Sequence, residues 1–370
     1  MKKTKLKILE ICPFSAGICG VWARVMQESL EFSKLGHEVC IFSSNIEKGT
    51  GNTACESENI DDLKINRFKS KSSLASKNVY SFNFAKAFQE YSPDIVITHL
   101  LHPHSFKALK LSKKYNIPCY LVTHAPFNVK RRFPLGMITS IYNSIKVKPR
   151  INYFEKIIAI TKWEIPYLLN LGVKKEKIAY IPNGLPSQFF IQKKIKPHKD
   201  VLFLGRIAPV KNLESLIFAA KHLPQINFSI VGSAEEDYLI NLKNIIKTEK
   251  IKNIRVFPPI YDLSKKISLI DNHKIFVLPS KREAMPQVLL EAMSRVKIVI
   301  SSKTDGGKEI IQDRKNGFLF DIGDFQALAE IIAKNIKGNI NIQKKASSDA
   351  KFYSWEKLIK SYLELFRRLR

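Results

Sequence analysis

A chain of 370 residues is too long for one ordinary core and about right for two domains. Its composition, 45% hydrophobic and 25% charged, is that of a soluble globular protein, and no apolar run approaches the roughly 20 residues that cross a bilayer. Five cysteines without a CxxC spacing argue against both a disulfide framework and structural zinc, while a formal net charge of +28 speaks about partners and not about fold.

The opening MKKTKLKILEICPF is basic like a signal peptide, but Glu10 interrupts its apolar stretch, so a cytoplasmic location is expected. Short apolar runs then alternate with amphipathic ones, the pattern of parallel βαβ units. Strands are expected at 7–12, 38–43, 94–100, 119–124, 156–161 and 177–182, with helices at 21–35 and 81–91. The polar stretch 47–62, including Asp61 and Asp62, reads as an exposed loop, and Trp22 and Trp163 as packing residues. The strands are apolar throughout and do not alternate, as when helices cover both faces of a sheet.

Periodicity lapses in PSQFFIQKKIKPHK and resumes at VLFLGR. Strands are then expected at 201–206, 227–232, 253–258, 274–279, 297–302 and 317–320, and helices at 212–222, 234–249, 262–271, 286–295, 324–335 and 354–369. The division that follows is an N-terminal domain 1–186, a linker 187–199, a second domain 200–353 and a final helical segment 354–370. Both domains read as doubly wound α/β units facing a cleft, where ligands bind beyond the carboxyl ends of the strands.

Chemistry is therefore sought just after strands. After the strand at 274–279 comes EAMPQVLLE, in which Glu283 precedes a helix that Pro286 would open and Glu291 lies in its second turn. The first backbone N–H groups of that helix, at Gln287 and Val288, suit a phosphate; the plainer reading is a loop carboxylate and an ordinary helix carboxylate. After the strand at 201–206 comes GRIAPVKN, whose Arg206 and Lys211 suit a diphosphate, Arg through its fork and Lys as a point charge. The glycines of DGGKE, Gly306 and Gly307, permit close approach of a ligand or simply a turn. His99, His102 and His104 have no Cys or acidic neighbour in sequence, so a loop at a strand end is preferred to a metal site.

GRIAPVKN, EAMPQVLLE, IPNG (181–184), TDGGKEII and NGFLF occur in the order and spacing of the retaining GT-B glycosyltransferases of family 4, which the chain resembles over nearly its whole length. The resemblance implies two Rossmann-like domains, the second binding the nucleotide sugar, and a last helix crossing back onto the first. It implies that Arg206 and Lys211 hold the diphosphate, that Glu291 holds the ribose, and that Glu283 contacts sugar hydroxyls near the anomeric carbon. The backbone of Met285, Pro286, Gln287 and Val288 would contact phosphates and sugar, and His124 in THAPF would hydrogen-bond the donor sugar or the leaving region. The family's doubled glycine after the first strand is altered here: Gly20 matches the second, Cys19 replaces the first, and Gly17 is expected to take over part of the role.

Departure of a nucleoside diphosphate builds charge on phosphate oxygens. The chain has no Asp-x-Asp motif to hold magnesium, so Arg206, Lys211 and the helix terminus are expected to act in place of a metal, with no cofactor beyond a UDP- or GDP-linked donor. No acidic residue lies between Asp94 and Glu155, whereas ten basic residues from Lys107 to Arg150 do. Among them, Phe133, Leu135, Met137, Ile138, Ile141, Tyr142 and Ile145 suit an amphipathic helix on anionic lipid, implying a peripheral protein with a glycan or lipid-linked acceptor. A nucleic-acid surface, without any recognition signature to support specific binding, and a plain excess of lysine are the rival readings of this window, and a nucleotide-sugar epimerase is the rival on the same fold.

Overall fold

In a computed structural model the structure describes residues 5–17, 19–73, 76–125, 137, 141, 143–192 and 197–367. The chain divides into two compact units, Met1–Gly184 with Trp355–Arg370, and Leu185–Ser354. The segment 187–199, expected as a linker, does not stand apart. Its described part is held by the second unit: Phe189 is buried, and Arg295 Nη1 donates to the carbonyls of Phe189 (3.2 Å) and Ile191.

The first unit is built on an eight-stranded sheet. Its strands are β1 (Lys7–Phe14), β2 (Glu38–Ser44), β3 (Ser57–Ile60), β4 (Leu63–Phe68), β7 (Ile95–His99), β8 (Cys119–Val122), β9 (Ile157–Ala159) and β10 (Ile178–Tyr180). The order is β10-β9-β8-β7-β1-β2-β4-β3, parallel except for β3. Ile8, Leu9 and Ile11 are wholly buried, as continuous apolar strands must be when both faces are covered. The chain first builds outward from β1 through β2, then returns to lay β7 on the other side of β1, so a switch point lies between β1 and β7.

Two expectations change here. The stretch 47–62 is not all loop: β3 ends it and hairpins onto β4, with Asp61 in the turn at φ 50°. The helix expected at 81–91 is shorter, Ala85–Tyr91, because Ser81 and Phe82 finish β6 (Ser76–Phe82), paired with β5 (Ser70–Ser73) in a two-stranded ribbon. A further helix, Pro103–Lys114, with proline at its start, lies between β7 and β8. The final helix, Trp355–Arg367, belongs to this unit and packs on the helix Gly20–Lys34. Wholly buried Arg24 ties them: it donates to Glu28 Oε2 (3.1 Å), Asn183 Oδ1 (2.8 Å), the Ile181 carbonyl (3.2 Å) and Tyr362 Oη (3.0 Å), and its guanidinium lies over the Trp355 ring.

The second unit holds a fully parallel six-stranded sheet: β11 (Lys199–Leu204), β12 (Phe228–Val231), β13 (Ile254–Phe257), β14 (His273–Leu278), β15 (Ile298–Ser302) and β16 (Phe318–Phe320). The order β13-β12-β11-β14-β15-β16 is, counted within the unit, the 3-2-1-4-5-6 order of a dinucleotide-type sheet, with its switch point between β11 and β14.

One buried carboxylate shapes the loop after β8. Glu164 accepts from Thr123 Oγ1 (2.7 Å) and the backbone N–H groups of Ile160 (2.5 Å), Thr161 (3.1 Å) and Ala125. It thereby holds His124 (φ 60°) and Ala125 (φ 47°) in the left-handed region, where each non-glycine residue costs about 1–3 kcal/mol. Burial pushes Glu164 up to about 7 despite those hydrogen bonds. The folded state therefore binds the proton more tightly than the unfolded chain, and stability falls as pH rises from the ordinary Glu value through about 7. Urea denaturation at pH 5 and pH 8 should show this loss, on the order of 3 kcal/mol, reduced in Glu164→Gln; an equal pH dependence in variant and wild type would contradict it.

Candidate active site

In the second unit the loops following β11 and β14 leave neighbouring strands at the switch point and are fastened to each other. Asn212 Nδ2 donates to the Pro279 carbonyl (3.2 Å) and Lys281 N to the Val210 carbonyl (2.8 Å). Between these ties Lys211 Nζ meets Glu283 Oε1 at 2.6 Å, although the two are 72 residues apart in sequence. Ser280 Oγ donates to the same oxygen at 2.5 Å, and the Lys211 and Glu283 side chains are only 18% and 11% exposed. The Glu283 loop rests on Gly306, where an added Cβ would lie 2.6 Å from the Ala284 carbonyl oxygen and 2.7 Å from Pro286 Cδ. This glycine lets the chain approach itself, so the alternative of a ligand approach at Gly306 is taken up by the loop.

The helix after this loop is Gln287–Ser294, and Pro286 caps it at φ −75°, ψ 98°, so the helix begins one residue later than expected. Met285 is buried and Gln287 and Val288 are half-buried at the helix start. Glu291 does lie in the second turn, where its Oε1 pairs with Lys266 Nζ at 2.5 Å. Its other oxygen, Oε2, is buried without a hydrogen-bond partner among the described residues, an acceptor that something must satisfy. Arg206 stands further out: its side chain is 59% exposed and pairs with Glu235 at 2.8 Å. Neither Lys266 nor Ser280 was picked out from the sequence; neither sits in a motif, and only the sheet order brings them to Glu291 and Glu283.

In the first unit Gly17 and Gly20 behave differently. Gly17 has φ +76°, and a Cβ there would lie 2.1 Å from the Lys48 carbonyl oxygen; its bare Cα accommodates Lys48 backbone, with which it forms a bridge. Gly20 opens its helix, and a Cβ there would meet nothing within 4 Å. Residue 18, between them, lies outside the described residues.

His124 follows β8 and its Nε2 lies 2.9 Å from Nδ1 of His99 at the end of β7. His99 is not the unaccompanied loop histidine expected from sequence. It is wholly buried, and its Nε2 lies 2.7 Å from Glu10 Oε2 and 3.3 Å from Glu28 Oε1, so acidic partners arrive from β1 and the first helix. Burial and the neighbouring His124 and Arg24 hold His99 well below the usual imidazole range, and burial with Arg24 and His102 does the same to His124. His104 donates through Nε2–H to the His99 carbonyl at 2.8 Å and is lowered by burial to about 3. Glu10, Glu28 and His99 have the chemistry of a metal-ligand set, yet the Arg24 guanidinium already supplies a cation to Glu28.

Comparison with known proteins places both halves. The family model described as Glycosyltransferase Family 4 matches residues 18–189, and that described as Glycosyl transferases group 1 matches residues 186–351. An uncharacterized glycosyltransferase of Haemophilus influenzae is 27% identical over 56% of this chain and 60% of its own length. The N,N'-diacetylbacillosaminyl-diphospho-undecaprenol alpha-1,3-N-acetylgalactosaminyltransferase of Campylobacter jejuni is 22% identical over 66% of this chain and 68% of its own. A solved glycosyltransferase from Rickettsia africae superposes with a TM-score of 0.78 at 20% identity, covering 99% of this chain and 98% of that one. The Anabaena protein Alr3699/HepE, solved in complex with UDP, does so with a TM-score of 0.76 at 17% identity, covering 98% and 100%. Two Rossmann-like units, each matched by one half of the family, make this chain a member of the GT-B glycosyltransferases of family 4.

Proposed function

We propose that the protein transfers a sugar, with retention and without a metal, from a nucleoside-diphosphate sugar to a glycan or lipid-linked acceptor at an anionic membrane surface on the cytoplasmic side. The observation that carries the reading is the Lys211–Glu283 contact at the switch point of the second sheet. It sets a cation and a carboxylate side by side in a half-buried site. Lys211 has three donors, of which Glu283 takes one, and the others serve phosphate oxygens. Arg206 and the start of the helix Gln287–Ser294 add fixed positive charge and dipole where the leaving diphosphate gains charge. The unpaired oxygen of Glu291 supports the role of ribose acceptor. The complexes of Alr3699/HepE with UDP and with UDP-glucose support a uridine donor.

In the step itself the bond from the anomeric carbon to the phosphate oxygen breaks while one to the acceptor oxygen forms on the same face. The acceptor's proton passes to the departing phosphate oxygen, and the Glu283 carboxylate stabilises the oxocarbenium-like charge. His124 hydrogen-bonds the transferred sugar. No nucleophilic side chain takes part.

For the acceptor, the support is the diphospho-undecaprenol substrate in the name of the Campylobacter relative and the capsular polysaccharide role in that of a Staphylococcus aureus relative. Met137, Ile141 and Ile145 are 52%, 50% and 60% exposed beside exposed Lys146, Lys148 and Arg150. The rest of the expected amphipathic segment, including Lys130 to Arg132, lies outside the described residues, and no described helix is long and apolar enough to cross a membrane.

Glu283→Gln and Lys211→Met should each lower turnover with a donor sugar by about 10²-fold or more while the protein still folds, because each removes charge that matters most in the transition state; wild-type turnover in either purified variant would overturn the assignment. Flotation with liposomes containing anionic lipid should carry the protein upward at low salt and release it at high salt. Protein that stays at the bottom at low salt counts against the membrane surface.

A further inference from the structure

Glu10 and Glu28 are wholly buried carboxylates, and among the described residues one fixed cation serves them both: Arg24, 3.1 Å from Glu28. Two carboxylates and one guanidinium leave a net negative charge in the interior, which burial away from water strongly disfavours. One further proton removes it, and the geometry offers one place for it, the 2.7 Å contact between Glu10 Oε2 and His99 Nε2. The other groups packed around are neutral or already committed. The Tyr362 hydroxyl donates to Glu28 Oε2 at 3.0 Å, His104 is bonded to the His99 carbonyl, and burial raises the Cys12 thiol. Burial and Glu28 push Glu10 well above the usual carboxylate range, in keeping with a retained proton.

The position of that proton has a consequence at the other side of the imidazole. Held on Glu10, it is donated to His99 Nε2, and His99 carries its own proton on Nδ1. Held on His99 Nε2, it still leaves Nδ1 protonated. In both cases His99 Nδ1 donates across 2.9 Å to His124 Nε2, so His124 must keep its proton on Nδ1. Among the described residues that nitrogen has no hydrogen-bond partner, and the His124 backbone is held in place at positive φ by the Glu164-organised loop.

We propose that Glu10 and His99 are positioning residues which hold His124 in the tautomer that presents Nδ1–H as a donor to an oxygen of the transferred sugar. This rests on the reading of His124 as a sugar contact. Loss of the shared proton reverses the chain: His99 Nε2–H then donates to a carboxylate, His124 Nε2–H donates to His99, and His124 Nδ1 turns from donor to acceptor.

The test is the nitrogen NMR signature of histidine ring tautomers in the full-length protein labelled at histidine, with His124→Asn used for assignment and transfer measured in parallel. Wild type and Glu10→Gln, whose amide donates to His99 Nε2 as the shared proton does, should both show His124 as the Nδ1–H form. Glu10→Leu leaves His99 Nε2–H to bond Glu28 instead, and should switch His124 to Nε2–H with a fall in kcat of about tenfold and little change in donor KM. An Nε2–H form in the wild type overturns the relay even if Glu10→Leu fails to fold, as does a Glu10→Leu variant that keeps both the Nδ1–H form and wild-type kcat. A His124→Asn variant that transfers at the wild-type rate overturns instead the sugar contact on which the relay's purpose rests.

Discussion

Strands that run parallel all end at the same edge of a sheet, and every loop that follows them must leave from that rim. Where the chain reverses its direction of winding, two such loops diverge from adjacent strands and leave a crevice between them. In the second unit this happens between β11 and β14, and it is why Lys211 and Glu283 can touch at 2.6 Å across 72 residues of sequence. In the first unit it happens between β1 and β7. There the chain sets the Gly17 loop, His99 and, one strand further on, His124 at the ends of neighbouring strands.

Once the rim has brought polar groups together, burial decides their protonation. Glu164 uses four hydrogen bonds to keep a strained pair of residues in place, and burial still raises it to about 7. Arg24 meets the opposite demand. Its charge neutralises one carboxylate, and its remaining donors join Asn183, Ile181 and Tyr362, so a single side chain ties the first helix to the last helix and to the IPNG segment. The two ion pairs at the switch point of the second unit lie closer to the surface: Lys211 balances Glu283, Lys266 balances Glu291, and in each pair the carboxylate is the more buried member. On the proposed reading, a diphosphate arriving there would meet cations already held in place by carboxylates, with the ordering cost met during folding.

The parts of the fold that are legible in the sequence are those governed by a local rule. Strands buried on both faces must be apolar along their length, so KILEIC and KIFVLP declare themselves, and every strand of the second sheet falls within two residues of its expected place. The ribbon β5–β6 and the edge strand β3 escape notice because SKSS and SENI are polar sequences that carry no periodic signal. Glu283 and Glu291 are readable because helix-start chemistry and spacing act within nine residues. The Glu10–His99–His124 chain is unreadable for the converse reason. Glu10 registers only as an interruption of an apolar run, and His99 finds its carboxylates 89 and 71 residues away. Gly17 is seen in sequence as a glycine near a ligand loop, but what requires it is the Lys48 backbone, which only the fold brings near.

The central claim is that the diphosphate binds at the switch point of the second sheet through Lys211. A crystal structure with UDP or GDP bound tests it most directly. Phosphate oxygens should lie within hydrogen-bond distance of Lys211 Nζ and of the backbone at the start of the helix Gln287–Ser294, with the ribose hydroxyls on the open oxygen of Glu291. A nucleotide seated elsewhere on the chain, leaving Lys211 bonded to Glu283 alone, would contradict it.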